Sequence, residues 1–215
     1  MATQKRIKKA DFVMAGSIEN YKDHFSVDAC EPTPMKQLGK WMNEWLDRYE
    51  TTNDKQPKFA GTVGTLITYD KKTGYPRSRL MGIDEIEPEG ILLKSRPDFP
   101  KMIQLRDHPK AALHLQFLWP DKVQTVELLG NLEIWGEGVQ LPHPLVKEEV
   151  FSWQRYLFKV EGAKFAQGKF YEESTKRFWG ALNYVQYERQ KDKWVKHAME
   201  PFFAKSLVGA AAGEY

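Results

Sequence analysis

The stretch GYPRSRLMGIDEIEPEGILLKSRPDFPKMIQLRDHPKAALHLQFLW, Gly74 to Trp119, decides the fold. YPRSRLMGI (Tyr75–Ile83) alternates apolar and polar residues, as a half-buried strand does. EPEG (Glu87–Gly90) has turn chemistry, and the short apolar run ILLKS (Ile91–Ser95) follows it. Asp98 stands where it caps a short helix from Pro100 to Arg106, which Asp107-His108-Pro109 stops. AALHLQFL (Ala111–Leu118) returns to a period of two. Strands joined by short turns, with a helix between two of them, point to an antiparallel sheet that carries its helices outside.

The flanks extend the pattern. TVGTLITY (Thr62–Tyr69) is β-rich, and DKKTG (Asp70–Gly74) turns it into the next strand. VQTVELLGNLEIW (Val123–Trp135) follows a connection at Trp119-Pro120-Asp121-Lys122. Upstream, Thr33 is a helix N-cap and Pro34 fills the first helical position, where its missing N–H costs nothing. Met35, Leu38, Trp41, Met42, Trp45, Leu46 and Tyr49 then share one helical face, with Lys36, Lys40, Asn43 and Glu44 opposite. Thr51 to Pro57 reads as a polar linker, and residues 1–30 as a loosely held arm. Residues 144–178 read as helix-leaning. The final pair of strands is expected over 182–190 and 193–198. The fold class is a mainly β barrel with flanking helices. Periodicity does not supply the strand order.

Composition narrows the function. A chain of 215 residues is expected to form one domain with a sizeable core. With 32 basic and 29 acidic residues, its charge is too even for a nucleic-acid or anionic-membrane binder. The basic cluster Lys5, Arg6, Lys8, Lys9 reads as a solvated tail. No run of about 18 apolar residues is present, and MATQKRIKKADFVMAG lacks the apolar stretch of a secretory signal. A cytoplasmic protein is expected. Cys30 is the sole cysteine, so no disulfide forms within the chain, and a buried thiol is the expectation. His24, His108, His114, His143 and His197 lack metal-ligand spacing, so no metal is expected. No nucleophile elbow, phosphate-binding Gly loop or paired-carboxylate signature occurs.

A second stretch adds a family. FWGALNYVQYERQKDKWVKHAMEP, Phe178 to Pro201, together with Gly74–Gly130, resembles the pyridoxamine 5'-phosphate oxidase family of FMN-binding split barrels. The resemblance spans Glu31 to Pro201 and is poor over residues 137–177. It implies a split β-barrel domain over 31–201, with a tail over 202–215. It also implies a homodimer with FMN in a groove between two chains. Arg79 matches the Arg of the flavin-contacting strand, Ser95 a small hydroxyl residue, and Lys101 the Lys at a short helix start. An Arg, a Lys and a hydroxyl make a good phosphate site. Trp179 and Arg189 match a pair that touches FMN, and Gln124 or Thr125 matches a Gln beside the flavin ring. Each also has an ordinary reading: surface charge for Arg79 and Lys101, core for Trp179, and salt bridge for Arg189.

The departures set the substrate expectation. Asp84 stands where the family has a Lys, and Pro100 where it has an Arg, with Lys94 and Arg96 close enough in sequence to compensate. The family's substrate-gripping Arg-Leu-His triplet reads Val185-Gln186-Tyr187 here. Tyr184, Gln186 and Tyr187 would then face a substrate without a phosphate. The implied activity is an FMN-dependent oxidoreductase on a small neutral or aromatic molecule, inefficient on pyridoxamine 5'-phosphate, with no catalytic residue assigned. The alternative is a non-catalytic ligand-binding or sequestering barrel. A haem-handling barrel would need an axial ligand that the sequence does not identify.

Overall fold

The computed structural model describes residues 25–51, 62–119, 122–142, 150–168, 171–172, 177–178 and 182–199. The first helix, α1 (Pro34–Thr51), begins as its sequence dictates. The Thr33 carbonyl accepts the Gln37 N–H at 3.1 Å, and Thr33 Oγ1 accepts the Lys36 N–H at 3.3 Å. Met35, Leu38, Trp41, Met42 and Trp45 are buried, while Lys36, Lys40 and Asn43 are exposed. Trp41 meets Phe117 and Phe165 edge-on, and Trp45 meets Trp119 at 5.2 Å. Such pairs add about 0.5–1.5 kcal/mol each beyond area burial. The side chain of Tyr49 and residues 52–57 of the expected linker lie outside the described residues.

The strands follow in order. They are β1 (Val63–Asp70), β2 (Tyr75–Gly82), β3 (Glu85–Glu87) and β4 (Gly90–Ser95), then helix α2 (Pro100–Asp107), then β5 (Lys110–Leu118) and β6 (Val123–Ile134). After these come β7 (Val139–Pro142), β8 (Val150–Gly168), the short β9 (Tyr171–Glu172) and β10 (Arg177–Phe178), β11 (Leu182–Gln190) and β12 (Lys193–Met199). All pairings are antiparallel. The main sheet runs β12-β11-β8-β6-β5-β1-β2, with β4 paired to β8 and β3 to β4. Because β2 also lies against β4, strands β1, β2, β4, β8, β6 and β5 wrap around Leu66, Leu113, Leu128 and Phe158. β11 and β12 extend the wall, as the expected final hairpin.

The helix-leaning reading of residues 144–178 is corrected where they are described. Val150–Gly168 is one 19-residue strand. Its core contacts fall on Tyr156, Phe158 and Val160, then on Ala163 and Phe165. The alternation changes phase at Glu161, where the register with β6 slips: Leu129 opposes Gly162 but Gly130 opposes Val160. A β-bulge of this kind hides the period of two from a reader of the sequence. It also lets one strand serve two neighbours, β4 with its first half and β11 with its second.

Two smaller expectations change. Asp98 does not cap α2: Phe99 holds the N-cap position without a side-chain cap, and Pro100 takes the first helical position. The Asp98 carboxylate binds the Arg96 guanidinium instead. The packed structure also reaches further upstream than Glu31. Phe25 and Cys30 are buried in the core, and Phe25 lies 5.1 Å from Trp41 between ring centroids. Of the expected arm, residues 1–24 lie outside the described residues.

Candidate functional site

Arg79 sits on β2 opposite Leu66, so its side chain shares the core-facing side of the sheet. Its Nη2 donates to Thr68 Oγ1 at 3.0 Å and to Gln104 Oε1 at 2.8 Å. The Thr68 hydroxyl donates to the same Gln104 oxygen at 2.7 Å. These bonds hold the guanidinium against Gln104 of α2, one turn after Lys101, which is half-buried with its ammonium 5.3 Å from the Phe99 ring centroid. Burial lowers the Lys101 pKa, and the positive charge of Arg79 lowers it further. Burial and the Arg77 charge likewise lower Arg79, with Asp70 opposing. Asp70 is itself engaged by Arg77 at 3.5 Å and by the Lys72 N–H at 3.0 Å. No carboxylate acts on Lys101 among the described residues. Two partly desolvated cations therefore lie together without a full counter-charge, an arrangement suited to an anion. Ser95 ends β4 fully buried, with its hydroxyl donating to the Arg96 carbonyl at 3.4 Å.

The sequence reading missed Thr68 and Gln104. Both carried a signal: Thr68 is in phase with Leu66 on β1, and Gln104 is three residues after Lys101 on α2. Lys94 and Arg96, named as compensation for the missing cations, each have an acidic partner. Lys94 pairs with Asp84 at 2.9 Å, and Arg96 is held by Asp98. Arg155 adds contacts to Asp84 at 3.5 Å and Glu85 at 3.3 Å. The acid at position 84 thus gathers its own cations.

The other expected residues lie elsewhere. Gln124 is buried, accepts the Trp119 Nε1–H at 2.8 Å, and donates to Gln167 Oε1 at 2.7 Å. Thr125 points to the opposite face of β6. Tyr187 departs from its expected substrate-facing role: it is fully buried and its hydroxyl donates to the Glu31 carbonyl at 2.8 Å. Adjacent strand residues face opposite ways, so the side chains of Gln186 and Tyr187 lie on opposite faces of β11. Gln186 and Tyr184 do share the outer face. Gln186 Nε2 donates to Glu188 Oε1 at 2.8 Å, and the Lys164 ammonium lies 4.9 Å from the Tyr184 ring centroid. Arg189 is exposed, 6.0 Å from the Trp194 ring centroid. Lys164, Gln186, Arg189 and Met199 help line an open groove of about 430 Å³. Arg79 faces the core from β2, whereas this groove opens on the outer side of β6, β8 and β11, so the two are apart within one chain. Trp179 lies outside the described residues.

The architecture is that of a split β-barrel, the fold that the sequence resemblance implied. The chain is similar to a pyridoxine/pyridoxamine 5'-phosphate oxidase of Mannheimia succiniciproducens, with 24% identity over 148 residues, which is 66% of this chain and 62% of that protein. In structure it is similar to PhzG from Burkholderia lata, solved with tetrahydrophenazine-1-carboxylic acid, at a TM-score of 0.56 and 14% identity over 81% of this chain and 95% of that one. It also matches a pyridoxamine 5'-phosphate oxidase-related, FMN-binding protein of Nostoc punctiforme, at a TM-score of 0.53 and 13% identity over 79% of this chain and 98% of that one. No family model matches the chain. Among the described residues no helix is long and apolar enough to cross a membrane, and no cluster of metal-ligating side chains occurs.

Proposed function

We propose that this protein is an FMN-dependent oxidoreductase that works as a homodimer on a small aromatic or neutral substrate. The observation that carries the proposal is that Arg79 is bonded to Gln104 on α2, one turn from Lys101, without a carboxylate on Lys101 among the described residues. These residues fit the FMN phosphate, with Thr68 and Gln104 holding the guanidinium in place. Ser95 is assigned to the same phosphate by resemblance alone. Arg189 and Trp179 are assigned to the flavin ring by resemblance alone. When bound, FMN supplies the two-electron chemistry, and the protein anchors, orients and excludes water. Gln124 is assigned to the ring by resemblance alone; beyond its bonds to Trp119 and Gln167 its amide keeps one N–H and one lone pair.

Tyr184 and Gln186 face the substrate in this reading. An aromatic ring and an amide suit a flat or neutral molecule better than a phosphate ester. Purified protein given pyridoxamine 5'-phosphate and oxygen is expected to form no pyridoxal phosphate. The visible spectrum tests the flavin directly. A flavin spectrum with FMN released on denaturation is expected. The double change Arg79→Ala with Lys101→Ala should weaken FMN binding roughly 100-fold or more, since charged hydrogen bonds contribute about 1.5–3 kcal/mol each. A colourless protein that takes up no added FMN would reject the proposal. A second reading, a non-catalytic binding barrel, draws on Asp84, whose pairing with Lys94 and Arg155 withdraws two cations from any phosphate.

A further inference from the structure

A cavity of about 320 Å³ lies between α2 and the strands β6 and β8. None of the residues assigned to the flavin or substrate lines it. Met102, Leu105, Leu132 and Ile134 form apolar walls, with Arg106 and Tyr156 among them. Its size falls at the lower end of small-molecule sites, about 300–1,000 Å³.

The polar groups are what set it apart. Tyr156 is only 7% exposed, yet its hydroxyl makes no hydrogen bond among the described residues. Burial pushes that hydroxyl above its ordinary pKa while Arg106 pulls it down, so it stays protonated as a donor at neutral pH. The Arg106 guanidinium makes one long bond, to the Pro97 carbonyl at 3.4 Å, and has no carboxylate partner among the described residues. Gln154, also in the wall, already donates to the Gly136 and Arg155 carbonyls at 3.0 and 3.1 Å. An apolar cavity thus presents one hydroxyl donor and one guanidinium close enough to act on each other. An acceptor with negative charge satisfies both at once, and a hydrocarbon body fills the rest.

We propose that this cavity binds a small carboxylic acid with an apolar body, its carboxylate received by Arg106 and Tyr156. The site is independent of the flavin. Octanoate is a suitable probe, titrated calorimetrically into the full-length protein. Saturable binding is expected, with octan-1-ol at least about tenfold weaker because it lacks the charge. Arg106→Gln and Tyr156→Phe should each weaken octanoate about tenfold, and Arg79→Ala should leave it unchanged. Arg106 is exposed, so its substitution leaves the fold intact. No saturable octanoate binding up to about 1 mM, equal affinity for the alcohol, or an unaffected Arg106→Gln protein would overturn the proposal. Loss of octanoate binding in Arg79→Ala would overturn its independence from the flavin site.

Discussion

Tyr187 shows how one side chain can serve the fold in place of the site. Its ring packs against Phe165 at 5.4 Å, and its hydroxyl donates to the Glu31 carbonyl. Burial and the nearby Cys30 push the hydroxyl far above its ordinary pKa, so it stays a donor. Burial also raises the Cys30 thiol, which keeps it protonated and inert despite opposition from Tyr187 and Lys196. Tyr187→Phe leaves the Glu31 carbonyl without this donor. It should destabilise the protein by about 1–3 kcal/mol, read as a lower urea midpoint at unchanged slope. An unchanged midpoint would mean that water replaces the hydroxyl. Arg79 is the contrasting residue: its bonds to Thr68 and Gln104 fix its charge against α2, as the proposed phosphate site requires.

At the scale of elements, β8 governs the architecture. Two glycines let its neighbours close in at one place. A Cβ on Gly130 would lie 2.1 Å from the Lys159 carbonyl oxygen, and one on Gly90 would lie 2.0 Å from that of Phe158. Neither carbonyl belongs to a movable side chain. Gly130→Ala must therefore displace backbone beside the bulge, costing about 1–3 kcal/mol or more. Gly39→Ala supplies the contrast, because nothing lies within 4 Å of its added Cβ on α1. It should gain about 0.5–1 kcal/mol from reduced chain entropy. Urea unfolding of the two variants should move the midpoint in opposite directions. A tolerated Gly130→Ala would show that β6 and β8 can part without loss.

For the whole molecule, the last strands tie down the first described residues. Lys196 Nζ donates to the Val27 and Cys30 carbonyls at 2.7 and 2.8 Å, beside the Tyr187 bond to Glu31. Contacts this far apart in sequence make the barrel one cooperative unit. Its outer face is less settled. Leu80 is 74% exposed and Leu129 is 50% exposed, on the side turned from the core. A second copy of the chain would cover them, in line with the proposed homodimer. Sedimentation should give a dimer for the natural protein and a monomer for Leu129→Glu. A natural monomer at micromolar concentration would remove the dimer from the proposal.

By itself, the sequence determined the elements that rest on local chemistry. These include the Thr33-Pro34 helix start, the Gly74 turn at φ 72°, the stop at His108 and the closing hairpin. Caps, turns and regular alternation act over a few residues, so their signals are written in the chain. It also offered Arg79 and Lys101 as candidates, through the family resemblance. Only the tertiary structure decided that the two meet, that Thr68 and Gln104 hold Arg79, and that Gln124 and Tyr187 turn inward. It alone exposed β8 as a strand, since the extra residue at Glu161 shifts the alternation and a partner strand is needed to absorb it. The physical reason is common to all of these: register and burial depend on residues tens of positions away, and local propensity cannot encode what a distant strand will cover.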